Sequence, residues 1–212
     1  MRNSPPAAER DWQVLFDGTS TDALRGYGMD GFPADRWLVA DGELRTVSGP
    51  GVDLITRDEF TDFEVEFKWR VAPGGNSGVI YRAAETPDPS WTSGPEYQVL
   101  DDGRHPDGGD LTTSAGALYG LIAPGPEKRL EPVGSFNTGR IVVRDGRVEH
   151  WLNGKLVVDY GWNEPATRAL IEASKFARYD GFMAQDAGHV VFQHHGEEAA
   201  FRAIRIRPLD EN

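Results

Sequence analysis

The chain has 212 residues, enough for one β domain with a sizeable core and with no need of two. Its 22 Lys and Arg against 34 Asp and Glu give a formal charge of −12, which argues against nucleic-acid or anionic-membrane partners, since both depend on basic patches. Cysteine is absent, so disulfides, thiolate catalysis and Cys-zinc sites are excluded.

Gly 25, Pro 14 and Trp 6 suit a turn-rich all-β fold or a carbohydrate-binding surface. No apolar run approaches the ~20 residues of a bilayer span, so no transmembrane segment is expected. Residues 1–10 are Pro/Ala-rich and read as a flexible N-terminal arm. They lack an apolar leader core, so as the sequence stands the expected location is cytoplasmic.

From there to residue 209 the chain reads as one β-sandwich domain. Trp12–Phe16 is a short strand ending at the Asp17-Gly18 turn signal. Trp37–Ala40 and Glu43–Thr46 flank Asp41-Gly42, a two-residue hairpin turn. From Thr61 to Val71 apolar Phe63, Val65, Phe67 and Trp69 alternate with Asp62, Glu64, Glu66 and Lys68, the clearest strand pattern in the chain. The tight loop Pro73–Gly78 leads into Val79–Arg82. Residues 101–117 are too polar to pack alone and read as a long loop over one face. Ala117–Ile122 suggests another strand. Arg140–Tyr160 is a three-strand meander turning at Asp145-Gly146 and Asn153-Gly154. Ala166–Lys175 is the one helix, capped by Asn163 or Glu164 with Pro165 in its first turn. His189–His194 and Phe201–Arg207 are the last strands. About a dozen short strands and one helix predict an all-β, two-sheet sandwich of jelly-roll type.

Glu96-Tyr97-Gln98-Val99-Leu100 organises the functional reading. Alternation puts Glu96, Gln98 and Leu100 on one face and Tyr97 and Val99 on the other, so an acid and an amide stand together where a polar ligand can meet them. Taken alone, the same pattern describes a half-buried strand with a solvated face.

Asp62, Glu64 and Glu66 share a strand face roughly 6.5–7 Å apart, which invites comparison with a retaining β-glucanase, whose carboxyl pair needs ~5–5.5 Å. The order Asp-Phe-Glu-Val-Glu lacks the glucanase pattern, and a solvated outer face is the simpler account. His150 shares a face with Val148 and Leu152, with Ile141 and Val157 as expected cross-strand neighbours. It reads either as a satisfied core histidine or as a general base at a groove edge. His189 and His195 fall on one face with Val191 and Gln193 if their strand runs that far. The sequence has no HExxH, no His-x-His and no dense acidic loop, so spacing specifies no metal site and requires no cofactor. Pro73–Gly78 matches neither a P-loop nor a dinucleotide fingerprint, and Ser77 is not in a nucleophile elbow. Arg82 and Lys175 are basic groups able to hold a carbonyl oxygen or enolate, with surface ion pairing as the ordinary alternative.

Several segments, taken in order, resemble the 3-keto-disaccharide hydrolase domain family. They are Leu15–Gly18, Phe60–Arg70, Asn76–Arg82, Glu96–Asp101, Phe136-Asn137, His150–Gly154, Ser174–Phe176, Gly188-His189, Gln193–Gly196 and Phe201–Ile206. Two positions depart from the pattern. The family often has Trp-Asn at Phe136-Asn137, and an Asp where this chain has His194. The resemblance implies a concanavalin A-like sandwich acting on sugars oxidised at C3. A C3 ketone acidifies the C2 proton, so a base can remove it and expel the C1 substituent, after which water adds to the enone. Such a site needs a base, a polariser for the ketone and an acid for the leaving group. The expected base is Glu96 or His150, and the expected polariser is His195, Lys175 or Arg82. Gln98, Gln193 and Asn76 are expected to contact the sugar, and Trp91 or Tyr119 to stack on its ring. A divalent metal could take the polariser's place. The expected partner is thus a 3-keto-glycoside; the alternatives are a non-catalytic carbohydrate-binding module and a retaining β-glucanase.

Overall fold

Three two-residue turns set the register of the longer sheet. Asp41-Gly42, Asp145-Gly146 and Asn153-Gly154 hold both residues at positive φ (55° and 75°, 50° and 74°, 49° and 77°). That is the geometry that matches the right-handed twist of hairpin strands and that Asp, Asn and Gly adopt most easily. The computed structural model describes residues 11–209, and the expected N-terminal arm lies outside them.

The strands are β1 (Gln13–Phe16), β2 (Leu24–Gly26), β3 (Trp37–Ala40), β4 (Glu43–Thr46), β5 (Leu54–Thr56), β6 (Phe63–Val71), β7 (Asn76–Ala83), β8 (Glu96–Leu100), β9 (Asn137–Arg144), β10 (Arg147–Leu152), β11 (Lys155–Gly161), β12 (His189–Phe192) and β13 (Ala199–Pro208). They form an eight-stranded sheet ordered β11-β10-β9-β6-β13-β4-β3, with β1 also on β13, and a five-stranded sheet ordered β2-β5-β12-β7-β8. All pairs are antiparallel. This is the expected two-sheet sandwich. Phe63, Val65, Phe67 and Trp69 of β6 are buried between the layers with Tyr81, Tyr97, Val99, Phe192 and Phe201. Phe67 stands edge-on to Tyr97 and Phe192, so both sheets share one aromatic core.

Several expectations change. The three-residue strands β2 and β5 carry no readable alternation and add to the expected set, β7 begins at Asn76 inside the expected Pro73–Gly78 loop, and β12 ends at Phe192 rather than His194. Ala117–Ile122 forms bends with isolated bridges at Leu118 rather than a strand, because Gly116 and Gly120 (φ 82° and 69°) break the run. The helix α1 is Pro165–Glu172, with Glu164 at the N-cap position and Pro165 at N1. Lys175 then begins a separate 3-10 turn, Lys175–Arg178, capped by the Ser174 hydroxyl. Finally, a bulge after His150 pairs it with Val158 instead of Val157, while Ile141 is its partner on β9 as expected. Among the described residues no helix is long and apolar enough to cross a membrane.

Candidate active site

The outward face of β7 and β8 forms the floor of a cavity of about 240 Å³, lined by Asn76, Trp91, Gly94, Glu96, Gln98, Tyr119, Lys175, Phe176, Gln193 and His195. Asn76 and Gly78 of β7 lie opposite Leu100 and Gln98 of β8, and Ile80 lies opposite Glu96. Gly78 is there for space. A Cβ at that position would sit 2.0 Å from Glu96 Oε1, so the carboxyl group lies over the bare glycine backbone. Gln193, just past β12, reaches the floor because its backbone N–H donates to the Gly78 carbonyl at 2.9 Å.

Asn76, Glu96, Gln98 and Gln193 are buried, whereas Trp91 and Tyr119 are half-buried and Lys175 and His195 exposed. The cavity therefore has a polar floor under an aromatic and cationic rim. Among the described residues none donates a hydrogen bond to the Glu96 carboxyl group, and burial pushes it up to about 8, with the charges of Asp53 and Asp107 adding to the effect against Lys175. At neutral pH it is predominantly a neutral acid.

Lys175 Nζ lies 4.4 Å from the centre of the Tyr119 ring, 5.2 Å from Phe176 and 5.6 Å from Trp91, and 3.4 Å from the Tyr119 hydroxyl. Among the described residues no carboxylate stands within ion-pair distance of it, so its charge is balanced only by ring faces. His195 Nδ1 is 2.7 Å from Glu197 Oε2, an arrangement in which Nδ1–H donates to the carboxylate and Nε2 keeps its lone pair.

Asn76 is fixed from the side. His105 Nδ1 accepts the Asp107 backbone N–H at 3.1 Å, so the neutral ring carries its proton on Nε2, which faces the Asn76 amide at 3.4 Å. Hydrogen-bond logic turns the amide oxygen, otherwise buried and unpartnered, to that proton and leaves the NH₂ group as a donor toward the cavity. Gln193 Oε1 is a buried acceptor without a partner among the described residues. His105, His195 and Glu197 each place a ligand atom within 4.8 Å of the others, so this trio could hold a divalent ion at the rim. If His105 bound through Nε2, its proton would have to move and the Asp107 contact would be lost.

Two expected site residues lie elsewhere. His150 is fully buried between the sheets, because alternation along β10 points Val148, His150 and Leu152 inward. Arg82 leaves the sheet at a bulge in β7, where its own φ is 47°. Its guanidinium donates to the Thr61 carbonyl (2.9 and 2.7 Å) and to Asp62 (2.9 Å), and lies 4.7 Å over Trp162. It is a structural clamp. His189, also off the cavity, faces Glu59 at 3.3 Å. The departure at His194 is a buried ring set edge-on to Trp37. The acidic row on β6 is engaged outside the core: Glu64 with Arg140 and Arg207, and Glu66 with Arg205.

Sequence reading missed Asp53. It accepts from Ser90 Oγ (2.6 Å) and the His194 backbone N–H (2.8 Å), and burial raises its pKa. Its effect on Glu96 depends on a sheet order that no local pattern announces.

Residues 11–207 match the 3-keto-alpha-glucoside-1,2-lyase-like domain family. The chain belongs to this family. A 3-keto-disaccharide hydrolase of Bacteroides thetaiotaomicron is 34% identical over 229 residues, covering 93% of this chain and 78% of the relative. A crystal structure from Parabacteroides distasonis, described as a candidate glycosyl hydrolase, superposes with a TM-score of 0.86 at 26% identity over 96% of this chain and 95% of that one. The catalytic domain of an endo-1,3-beta-glucanase (laminarinase) from Thermotoga petrophila shares the fold, with a TM-score of 0.56 at 14% identity over 96% of this chain and all (100%) of that one. Family membership makes the protein a carbohydrate-active enzyme of the jelly-roll class.

Proposed function

We propose that this protein cleaves 3-keto-glycosides at the cavity over β7 and β8. The observation that carries the reading is Glu96: a buried, neutral carboxyl group with no hydrogen-bond partner among the described residues, on the floor of a cavity sized for about one hexose ring. In the proposed reaction His195 Nε2, oriented through Nδ1 by Glu197, removes the proton at C2 of the oxidised sugar. The charge moves onto the C3 oxygen, where the Lys175 ammonium and the Asn76 amide N–H₂ oppose it. The C1–O bond breaks, and the leaving oxygen takes the proton of Glu96. Addition of water across the C1=C2 bond of the enone completes a net hydrolysis. Gln98 and Gln193 contact ring hydroxyls, and Trp91 and Tyr119 flank the ring.

The family match, the 3-keto-disaccharide hydrolase relative, and the Glu96 carboxyl and Gln193 amide oxygen that no described residue satisfies support this reading. The test is release of the leaving group from a 3-keto-glucoside and from the matching unoxidised glucoside, across pH 6–9, with and without added divalent metal. Turnover of the oxidised compound alone is the expected result. Binding without turnover of either would make the protein a carbohydrate-binding module.

A further inference from the structure

The proposed chemistry leaves unused a hydrogen-bonded chain of three buried titratable side chains. His150 Nδ1 lies 3.2 Å from the Gly116 carbonyl oxygen, and Nε2 lies 2.8 Å from the Tyr81 hydroxyl. The Tyr81 hydroxyl lies 2.7 Å from that of Tyr160. A carbonyl can only accept, so the ring proton is on Nδ1. Nε2 then accepts the Tyr81 O–H, and the Tyr81 oxygen accepts the Tyr160 O–H. Every proton in the chain is placed, and no member is charged. Burial pushes His150 down to about 4 and both tyrosines well up.

The members alternate between layers. Tyr160 on β11 and His150 on β10 belong to the eight-stranded sheet, Tyr81 on β7 to the five-stranded one. Gly116 opens a segment that runs along the outer edge of β8. Its N–H donates to the Gln98 carbonyl (2.8 Å), the Gln98 N–H donates to Ala117 (3.2 Å), and the Tyr119 N–H donates to Glu96 (3.0 Å). Glu96, Gln98 and Tyr119 all line the cavity. Only a glycine sits easily where Gly116 does, at φ 82°. His150 thus ties the 116–119 segment to the opposite sheet, beside the Tyr97 hydroxyl of β8, which donates to the Trp151 carbonyl at 3.2 Å.

We propose that His150 is a positioning residue, which acts through Gly116 to hold the 116–119 segment and with it Tyr119 and Gln98 in place for the substrate. The link to substrate rests on the reading of the cavity given above; the link to the segment does not.

The experiment compares wild type with His150→Leu, His150→Gln and Tyr81→Phe, using peptide-level hydrogen exchange and steady-state kinetics on a 3-keto-glucoside. Leucine keeps apolar bulk and removes both bonds. Glutamine offers an N–H for Gly116 and an oxygen for the Tyr81 hydroxyl. The expected result for His150→Leu is exchange over 114–122 about tenfold faster or more, with the β3–β4 hairpin unchanged. KM should rise more than kcat falls, and the shape of the pH profile should be retained. His150→Gln should recover most of both losses. Tyr81→Phe, which leaves His150 its Gly116 bond but frees the ring, should show a smaller effect in the same segment, and it decides the matter if His150→Leu does not fold. Unchanged exchange over 114–122, or equal acceleration in the β3–β4 hairpin, overturns the proposal. So does loss of a limb of the pH profile, which would mean that His150 transfers protons. If wild type turns over no 3-keto-glucoside, the functional reading fails while the exchange measurement still decides this one.

Discussion

Glu64 on β6 and Glu96 on β8 are 4% and 8% exposed, on strands of opposite sheets. Glu64 accepts from Arg140 at 3.1 Å and from Arg207 at 2.8 and 2.5 Å. The Glu96 carboxyl group accepts from none of the described residues, lies over Gly78 and is pushed up to about 8. Burial alone therefore does not mark a reactive carboxyl group. A buried carboxylate answered by guanidinium groups is a structural clasp, whereas one left unanswered is neutral at physiological pH and available to a ligand. The acidic row on β6, which the sequence pattern makes the more conspicuous of the two, is the structural one.

The largest break in this contrast is Glu96→Gln. It keeps the shape and removes the transferable proton, so turnover should fall by roughly 10²–10⁴-fold while substrate still binds. The same variant tests the electrostatics. The folded-state pKa of Glu96 is raised from 4.5, so between about 4.5 and 8 the unfolded chain gives up a proton that the folded chain keeps, and stability declines as pH rises through that window. Glu96→Gln should flatten this alkaline decline, and thermal melts at pH 5 and pH 8 would show it. Wild-type kcat/KM should also fall as pH rises through about 8, where the acid loses its proton.

Gly78→Ala comes next. A Cβ 2.0 Å from Glu96 Oε1 forces the carboxyl group aside without changing its chemistry. A displacement of that order costs about 10²-fold in kcat/KM. Wild-type kinetics in the Gly78→Ala variant would show that the placement of Glu96 does not matter.

On the other side of the comparison, Glu64→Gln should leave activity within about twofold and cost roughly 1–3 kcal/mol in urea unfolding, because Arg207 and Arg140 lose the charge they face. A collapse of activity on β-glucan in this variant would restore the glucanase alternative. Glu66→Gln is the smallest change. Its partner Arg205 is 47% exposed, and a loss of about 0.5 kcal/mol or less is expected.

His150 shows the opposite pH behaviour to Glu96. Its folded-state pKa is lowered from 6.5 to about 4, so the unfolded chain binds the extra proton and stability is lost as pH falls from about 6.5 toward 4. The groups packed around it, Tyr81, Tyr97 and Tyr160, are all neutral there.

Much of this molecule was legible locally. The Asp-Gly and Asn-Gly turns and the alternation of β6 are statements about φ and about side-chain period, and neighbouring residues suffice to make them. The same alternation placed Glu96 and Gln98 together on one face and Tyr97 and Val99 in the core. Lys175, Trp91, Tyr119, Asn76, Gln193 and His195 were named one by one from their chemistry and from the family resemblance, and the fold brings them to one cavity. Two others could not be placed this way. His150 has the period of a core residue and the chemistry of a base, and only the opposing sheet, with Tyr81 and the Gly116 carbonyl, decides between them. Arg82 follows a strand whose bulge turns it away from the site, and a bulge is set by pairing with β12 rather than by the strand itself. Asp53 is the clearest case. Nothing in its own segment signals it, yet it helps keep Glu96 neutral because the sheet order puts β5 two strands from β7. Chemical type and strand face belong to the local chain. Which groups are left without partners depends on what every other strand brings near them, and that only the tertiary structure decides.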